Sequence, residues 1–180
     1  MDNKIHNNLP IGEELVDKWH SLPLDYQPDD LEDIPLKYRA ENCKDKDLRL
    51  RKEALFYLME MIDDAGKDNI YIKCVSAFRT ASYQEMIYKR ALEKEGENQM
   101  SSAKPGHSEH QLGTVVDVSS SEIEFGLKES FCETKEYTWI LNNAFLYGYY
   151  ISYTKENHLQ KGYIWEPWHL RYMGKKYKRD

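Results

Sequence analysis

Two short stretches of this 180-residue sequence combine residue types that can hold a metal and move a proton. The first, Ser108-Glu109-His110-Gln111-Leu112-Gly113-Thr114-Val115-Val116-Asp117, sets an imidazole and a carboxylate seven positions apart. Gly113 lies between them, where a chain reversal needs a permissive φ. Asp117 falls inside the apolar run Val115-Val116-Asp117-Val118. A carboxylate there is costly unless it is paired or bound to a metal. The second stretch, Glu166-Pro167-Trp168-His169, follows the apolar Tyr163-Ile164-Trp165.

Catalytic zinc takes three protein ligands and keeps a fourth position open for water. His110, Asp117 and His169 supply that number and a single negative charge. An ion held this way lowers the pKa of its water and polarises a carbonyl. A general base must then stand close to the metal without ligating it. Glu166, three residues before His169, is placed for that, and Pro167 stiffens the link. The plainer reading, a buried Asp and a core His at chance spacing, must account for two clusters occurring together. His6, His20, His107 and His158 sit in no such company.

The elements that must position these residues follow from periodicity and punctuation. Residues 1–46, with Pro10, Pro23, Pro28 and Pro35, read as an irregular arm wrapped on the core, extended around Leu22–Tyr26. A helix is expected over Asp47–Asp64, ended by Gly66, with Ala54, Leu55, Leu58, Met59 and Ile62 inward. Ile70–Phe78 reads as a strand with Ile70, Ile72, Cys74 and Ser76 on one face. A second helix is expected over Ser82–Lys94, with Ser82 and Glu85 as its capping box. Residues 95–113 form a long polar connection of a kind that is usually functional. Val115–Ser119 reads as a strand, 120–133 as irregular, and Lys135–Tyr147 as a helix stopped by Gly148. Tyr149–Tyr153 and Lys161–Trp165 read as a terminal hairpin pair, and 175–180 as a solvated tail. The order implies an α+β fold, a small, mainly antiparallel sheet with flanking helices.

Composition narrows the function classes. Hydrophobic residues are 41% and charged residues 31%, which fits a globular chain. The net charge of −6 and the lack of a basic patch argue against nucleic acid as the main partner. No apolar run is long enough to span a bilayer. Cys43, Cys74 and Cys132 form no CxxC pair, which argues against a thiolate zinc site, excludes a dense disulfide scaffold and leaves either three free thiols or one bridge with a free thiol. The first residues lack the apolar core of a signal peptide. Two compartments stay open: the cytoplasm, or the cell envelope if an export segment lies outside this sequence.

The pattern Ser-x-His-x-x-Gly-x-x-x-Asp followed by Glu-x-Trp-His resembles the zinc D-alanyl-D-alanine carboxypeptidases of the VanY and VanX type. That group includes LD-carboxypeptidases and phage endolysin peptidases. The resemblance runs from about Leu15 to Gly174. It includes Ser76-Ala-Phe-Arg79-Thr80, Pro105-Gly106-His107-Ser108, Asn143-Ala-Phe-Leu-Tyr-Gly148 and Glu166-Pro-Trp-His-Leu-Arg171-Tyr172. The Ser-Glu-His-Gln form is closer to the VanY, LD-carboxypeptidase and dual VanXY branches. Thr114, where relatives often carry a small residue before the Val, is a conservative departure.

The resemblance implies that His110, Asp117 and His169 bind zinc and that Glu166 is the base. It places Arg79 at the scissile carbonyl, where a guanidinium beside developing oxyanion charge is worth several kcal/mol. It gives Gln84 a substrate contact and Ser108 the substrate's terminal carboxylate. Trp165 and Trp168 are expected to pack behind the metal hairpin. It also implies a catalytic domain over 47–174 and a monomer whose substrate is a peptidoglycan stem peptide or precursor. Two alternatives remain: an endolysin-like endopeptidase, and a non-catalytic binding module of the same hedgehog-type zinc fold. Glu166 and Arg79 together favour an enzyme over the module.

Overall fold

The computed structural model describes residues 8–176, so His6 and residues 177–180 of the expected tail lie outside the described residues. Strand β1 (Leu31–Asp33) pairs antiparallel with β2 (Arg49–Arg51), which runs directly into helix α1 (Lys52–Lys67). Then follow β3 (Lys73–Ser76), α2 (Ala81–Glu95), β4 (Val115–Ser119), α3 (Lys135–Asn143), β5 (Tyr149–Ile151), the one-turn α4 (His158–Lys161) and β6 (His169–Tyr172). The main sheet has the order β3-β4-β6-β5 with every neighbour antiparallel. This is the expected α+β architecture. No helix among the described residues is long and apolar enough to cross a membrane.

The two faces of this sheet do different work. Side chains alternate along a strand. Val116 and Val118 of β4, and Leu170 and Tyr172 of β6, point into the main core with Leu55, Leu58, Met61 and Ile62 of α1. Each such aliphatic side chain contributes about 1.5–3 kcal/mol on full burial. The alternate residues Asp117, His169 and Arg171 therefore share the opposite face, and there they are buried too. A strand buried on both faces hides its alternation, so β4 carries a near-continuous apolar run.

Several boundaries differ from the sequence expectation, each for a local reason. Helix α1 starts at Lys52 because Arg49–Arg51 pairs with β1, Arg51 N–H donates to the Gly113 carbonyl, and Lys52 N–H donates to that of Asp30. Gly66 does not stop it; the chain turns at Asn69, at φ 61°. The strand expected over Ile70–Phe78 is four residues long and carries an irregularity between Cys74 and Ser76. Beyond it, Phe78 N–H turns to the Arg49 carbonyl and Arg79 N–H to that of His110. The cap of α2 is Thr80, whose hydroxyl accepts from Tyr83 N–H, rather than Ser82.

Leu22–Tyr26 forms a turn rather than an extended piece, and the arm's strand is β1. Residues Ala144–Tyr147 continue α3 as a 3-10 turn, stopped by Gly148. The last strand is not Lys161–Trp165. That segment bonds irregularly, with Ile164 N–H to the Met100 carbonyl and Glu166 N–H to that of Tyr153, and β6 begins only after Pro167. All three cysteines are free; burial pushes the Cys74 thiol up to about 12.

Gly113 ends the 3-10 turn Glu109–Leu112 at φ 72°. A Cβ there would stand 2.9 Å from Leu31 Cδ2 and 3.1 Å from Arg51 Cγ. Gly113→Ala is expected to lower stability by about 1–2 kcal/mol from the left-handed backbone, before any added contact strain. An unchanged urea midpoint in the metal-free protein would contradict this.

Candidate active site

Register builds the centre of the site. In the β4–β6 ladder Asp117 stands directly opposite His169. Directly opposed residues put their side chains on the same face within contact distance. His169 Nδ1 lies 3.3 Å from Asp117 Oδ1. His110 arrives from the 3-10 turn Glu109–Leu112, whose N-cap Ser108 accepts from His110 N–H at 3.4 Å. Its Nε2 lies 3.2 Å from Asp117 Oδ2. Ligand atoms of His110, Asp117 and His169 lie within 4.8 Å of one another, all buried.

Each imidazole is oriented from behind. His110 Nδ1 lies 2.7 Å from the Ala77 carbonyl, an acceptor only, so Nδ1 carries the proton and Nε2 keeps its lone pair. His169 Nε2 lies 2.9 Å from Glu109 Oε2, which leaves its Nδ1 facing Asp117 and Glu166. The rings meet edge to face at 5.0 Å, and Tyr153 tilts against His169 at 4.9 Å.

The donor set fits a metal ion. His110 Nε2 and Asp117 Oδ1 are buried without a hydrogen-bond partner. Two imidazole nitrogens and a carboxylate oxygen suit a divalent ion such as zinc. Burial, with the Arg79 charge second, pushes His110 down to about 4, so it stays neutral as a ligand must. Burial opposes charge on Asp117, but His110 and His169 outweigh it and hold its carboxyl far below the usual range.

The remaining expected residues gather on the more open side. Glu166 Oε2 lies 3.2 Å from His169 Nδ1, and Arg79 Nη2 lies 3.5 Å from Asp117 Oδ2. Their side chains are 14% and 17% exposed, against 2–4% for His110, Asp117 and His169, which makes this the more open side of the cluster. Gln84 is buried, and its amide is committed. Its Oε1 accepts from Arg79 Nη1 at 3.1 Å, and its Nε2 donates to Ser102 Oγ and the Ala103 carbonyl. Trp168 packs in the main core; Trp165 is half-buried beneath the Lys155 ammonium, 4.2 Å from its ring.

Two residues at the site escaped the sequence reading. Glu109 accepts from His169 through one oxygen and from Arg171 Nη1, at 2.8 Å, through the other. Burial works to protonate Glu109, but the His169 hydrogen bond and the Arg171 charge outweigh it and hold its carboxyl well below the usual range. The usable signal was His-x-Arg at strand spacing, which the misplaced final strand concealed. Glu109 sat in the motif, and nothing in its type announced burial.

Comparison with known proteins gives this geometry a family. Residues 47–175 match the family described as VanY: D-alanyl-D-alanine carboxypeptidase. The putative carboxypeptidase YodJ of Bacillus subtilis is 38% identical over 164 residues, 90% of this chain, and this chain spans 60% of that relative's length. The LdcB LD-carboxypeptidase structure superposes with a TM-score of 0.81 at 38% identity, covering 90% of this chain and 76% of that one. The VanY D,D-pentapeptidase of a VanB-type resistance cassette, solved with Zn(II), superposes at 0.71 and 26% identity, covering 91% and 88%. The matched segment contains His110, Asp117, His169, Glu166 and Arg79 together, and the chain belongs to the VanY D-alanyl-D-alanine carboxypeptidase family.

Proposed function

We propose that the protein is a zinc-dependent carboxypeptidase that removes the C-terminal D-amino acid from peptidoglycan stem peptides or their precursors, acting as a monomer. The observation that carries this reading is the convergence of His110 Nε2, an Asp117 carboxylate oxygen and His169 Nδ1, flanked by Glu166 and Arg79, in a chain of the VanY family. Those three atoms would hold the ion. Bound zinc supplies Lewis-acid chemistry, acidifying a water and polarising a carbonyl.

The chain's own residues do the rest. Glu166 takes a proton from the attacking water on a carboxylate oxygen and delivers it to the nitrogen of the leaving amine. The turn closed by His169 N–H on the Glu166 carbonyl fixes it beside the reaction centre. Arg79 faces the carbonyl oxygen and meets the negative charge that develops there. Gln84 serves the substrate through Arg79, holding the guanidinium by Nη1 and tying it to the 102–103 segment. Ser108, at the cap of the His110 turn, is the proposed partner of the terminal carboxylate.

The reading is tested first at the base. Glu166→Ala should keep one zinc per chain and lose about 10²–10⁴-fold in turnover of a D-alanine-terminated stem peptide. Loss of zinc from that variant would make Glu166 a ligand and overturn the assignment. Metal analysis of His169→Ala should show stoichiometry near zero.

Arg79 and Ser108 have separable kinetic signatures. Losing a contact made only in the transition state lowers kcat, whereas losing a ground-state anchor raises KM. Arg79→Ala is expected to act mainly on kcat and Ser108→Ala mainly on KM; the reverse pattern would exchange their roles. Amidation of the peptide's C-terminus should abolish cleavage. Efficient cleavage of the amide would overturn the carboxypeptidase reading in favour of an endopeptidase.

A further inference from the structure

Behind His169 lies a line of buried charge that reaches the N-terminal arm. Glu109 bridges His169 Nε2 and Arg171 Nη1 with its two oxygens. Arg171 Nη2 donates to the Glu14 carbonyl at 2.6 Å and lies 3.4 Å from Glu14 Oε2. Arg51 Nη1 stands 4.0 Å from the other Glu14 oxygen, and Arg51 Nε donates to Asp30 Oδ1 at 2.9 Å. The side chains of Glu109, Glu14 and Arg171 are 3%, 2% and 9% exposed. Glu14 lies ahead of the family's matched segment, which begins at residue 47. It is seated by Gly12, at φ 88°, whose N–H donates to Glu14 Oε2 and which packs against the Met173 carbonyl at the exit of β6.

The geometry points to Glu109, clamped by Arg171 and by Glu14 of the arm, as a positioning residue that holds His169 in its Nε2-protonated tautomer and so presents the Nδ1 lone pair to the metal. The inference rests on the proposed zinc site. Its physical basis is a competition between two acceptor environments. On the Nδ1 side, Asp117 Oδ1 at 3.3 Å and Glu166 Oε2 at 3.2 Å would also accept a proton, and a proton there blocks the metal. Glu109 offers the shorter bond, 2.9 Å, on the far side. Hydrogen bonds to charged acceptors are the stronger ones. A buried carboxylate is a reliable acceptor only while its counter-charge stays in place, and Arg171 supplies that charge.

Strand register makes the clamp possible. Arg171 lies two residues after His169 on β6, hence on the same face, and Glu109 spans both. Glu14 meets Arg171 at Nη2, through its carbonyl and carboxylate, while Glu109 takes Nη1, so the cation is shared between two anions. The arm thereby becomes part of the metal site without touching the metal.

The test measures zinc affinity in the full chain, by competition with a chromogenic chelator, for wild type, Glu109→Gln, Glu14→Gln and the double variant. Partners behind a metal ligand typically carry 10–100-fold in metal affinity. Glu109→Gln is expected to weaken zinc by about that factor, while the chelator-treated protein keeps the circular dichroism of the wild type. Glu14→Gln should weaken zinc by a smaller factor, and the double variant should bind no more weakly than Glu109→Gln alone, because Glu14 acts only through Glu109.

Wild-type affinity in Glu109→Gln would overturn the inference, as would fully additive losses in the double variant. If Glu109→Gln does not fold, Glu14→Gln decides: weakened zinc with an unchanged fold supports the clamp, and unchanged zinc overturns it. A wild-type chain that takes up no zinc overturns the metal site and this inference together, whereas zinc uptake with equal affinities overturns the clamp alone.

Discussion

The pairing of Asp117 with His169 across two antiparallel strands is the constraint on which the rest of the site depends. A carboxylate on a strand buried on both faces is destabilising unless something compensates its charge. Here Arg79 supplies a counter-charge 3.5 Å from one oxygen, and His110 and His169, at 3.2 and 3.3 Å, complete a donor set that a cation would neutralise. A one-residue slip of β6 would send His169 into the hydrophobic core and bring Leu170 to the site, because neighbouring side chains face opposite ways. The apolar set Val116, Val118, Leu170 and Tyr172, packed against α1, holds that register. Folding the core and assembling the site are therefore one event.

Around this pair the chain supplies orientation through acceptors set behind each imidazole. A backbone carbonyl sets the tautomer of His110, and a carboxylate faces the far nitrogen of His169. The result is a set of lone pairs directed inward, with the Glu166 carboxylate and the Arg79 guanidinium on the open side. Gln84 shows how little of this is left to chance. Its amide joins Arg79 to the 102–103 segment, so the long connection before His110 bears on the arginine's position.

The candidate ligands were legible because their chemistry conflicts with their surroundings. Asp117 in a valine run and His169 beside Glu166 are anomalies that a metal site resolves, and both are found where that reading puts them. Helix α2 and strand β4 were legible from periodicity. The final strand was not. Tyr163, Ile164 and Trp165 have strand-forming side chains, but their backbone groups bond to Met100 and other irregular partners, which no local pattern records. The start of α1 was obscured in the same way, because pairing with β1 overrides helical preference at Arg49–Arg51. Glu109 and Arg171 were hidden for a further reason: a charged pair buried by tertiary contact looks, in sequence, like any exposed pair.

The central claim is that three side chains place specific atoms around one catalytic zinc ion. Anomalous diffraction from crystals of the zinc-loaded protein, collected on both sides of the zinc absorption edge, tests it most directly. The account expects a single peak bonded by His110 Nε2, an Asp117 oxygen and His169 Nδ1, with Glu166 close by but outside bonding distance. A peak elsewhere, no peak at all, or His169 bound through Nε2 with Glu109 displaced, would contradict it.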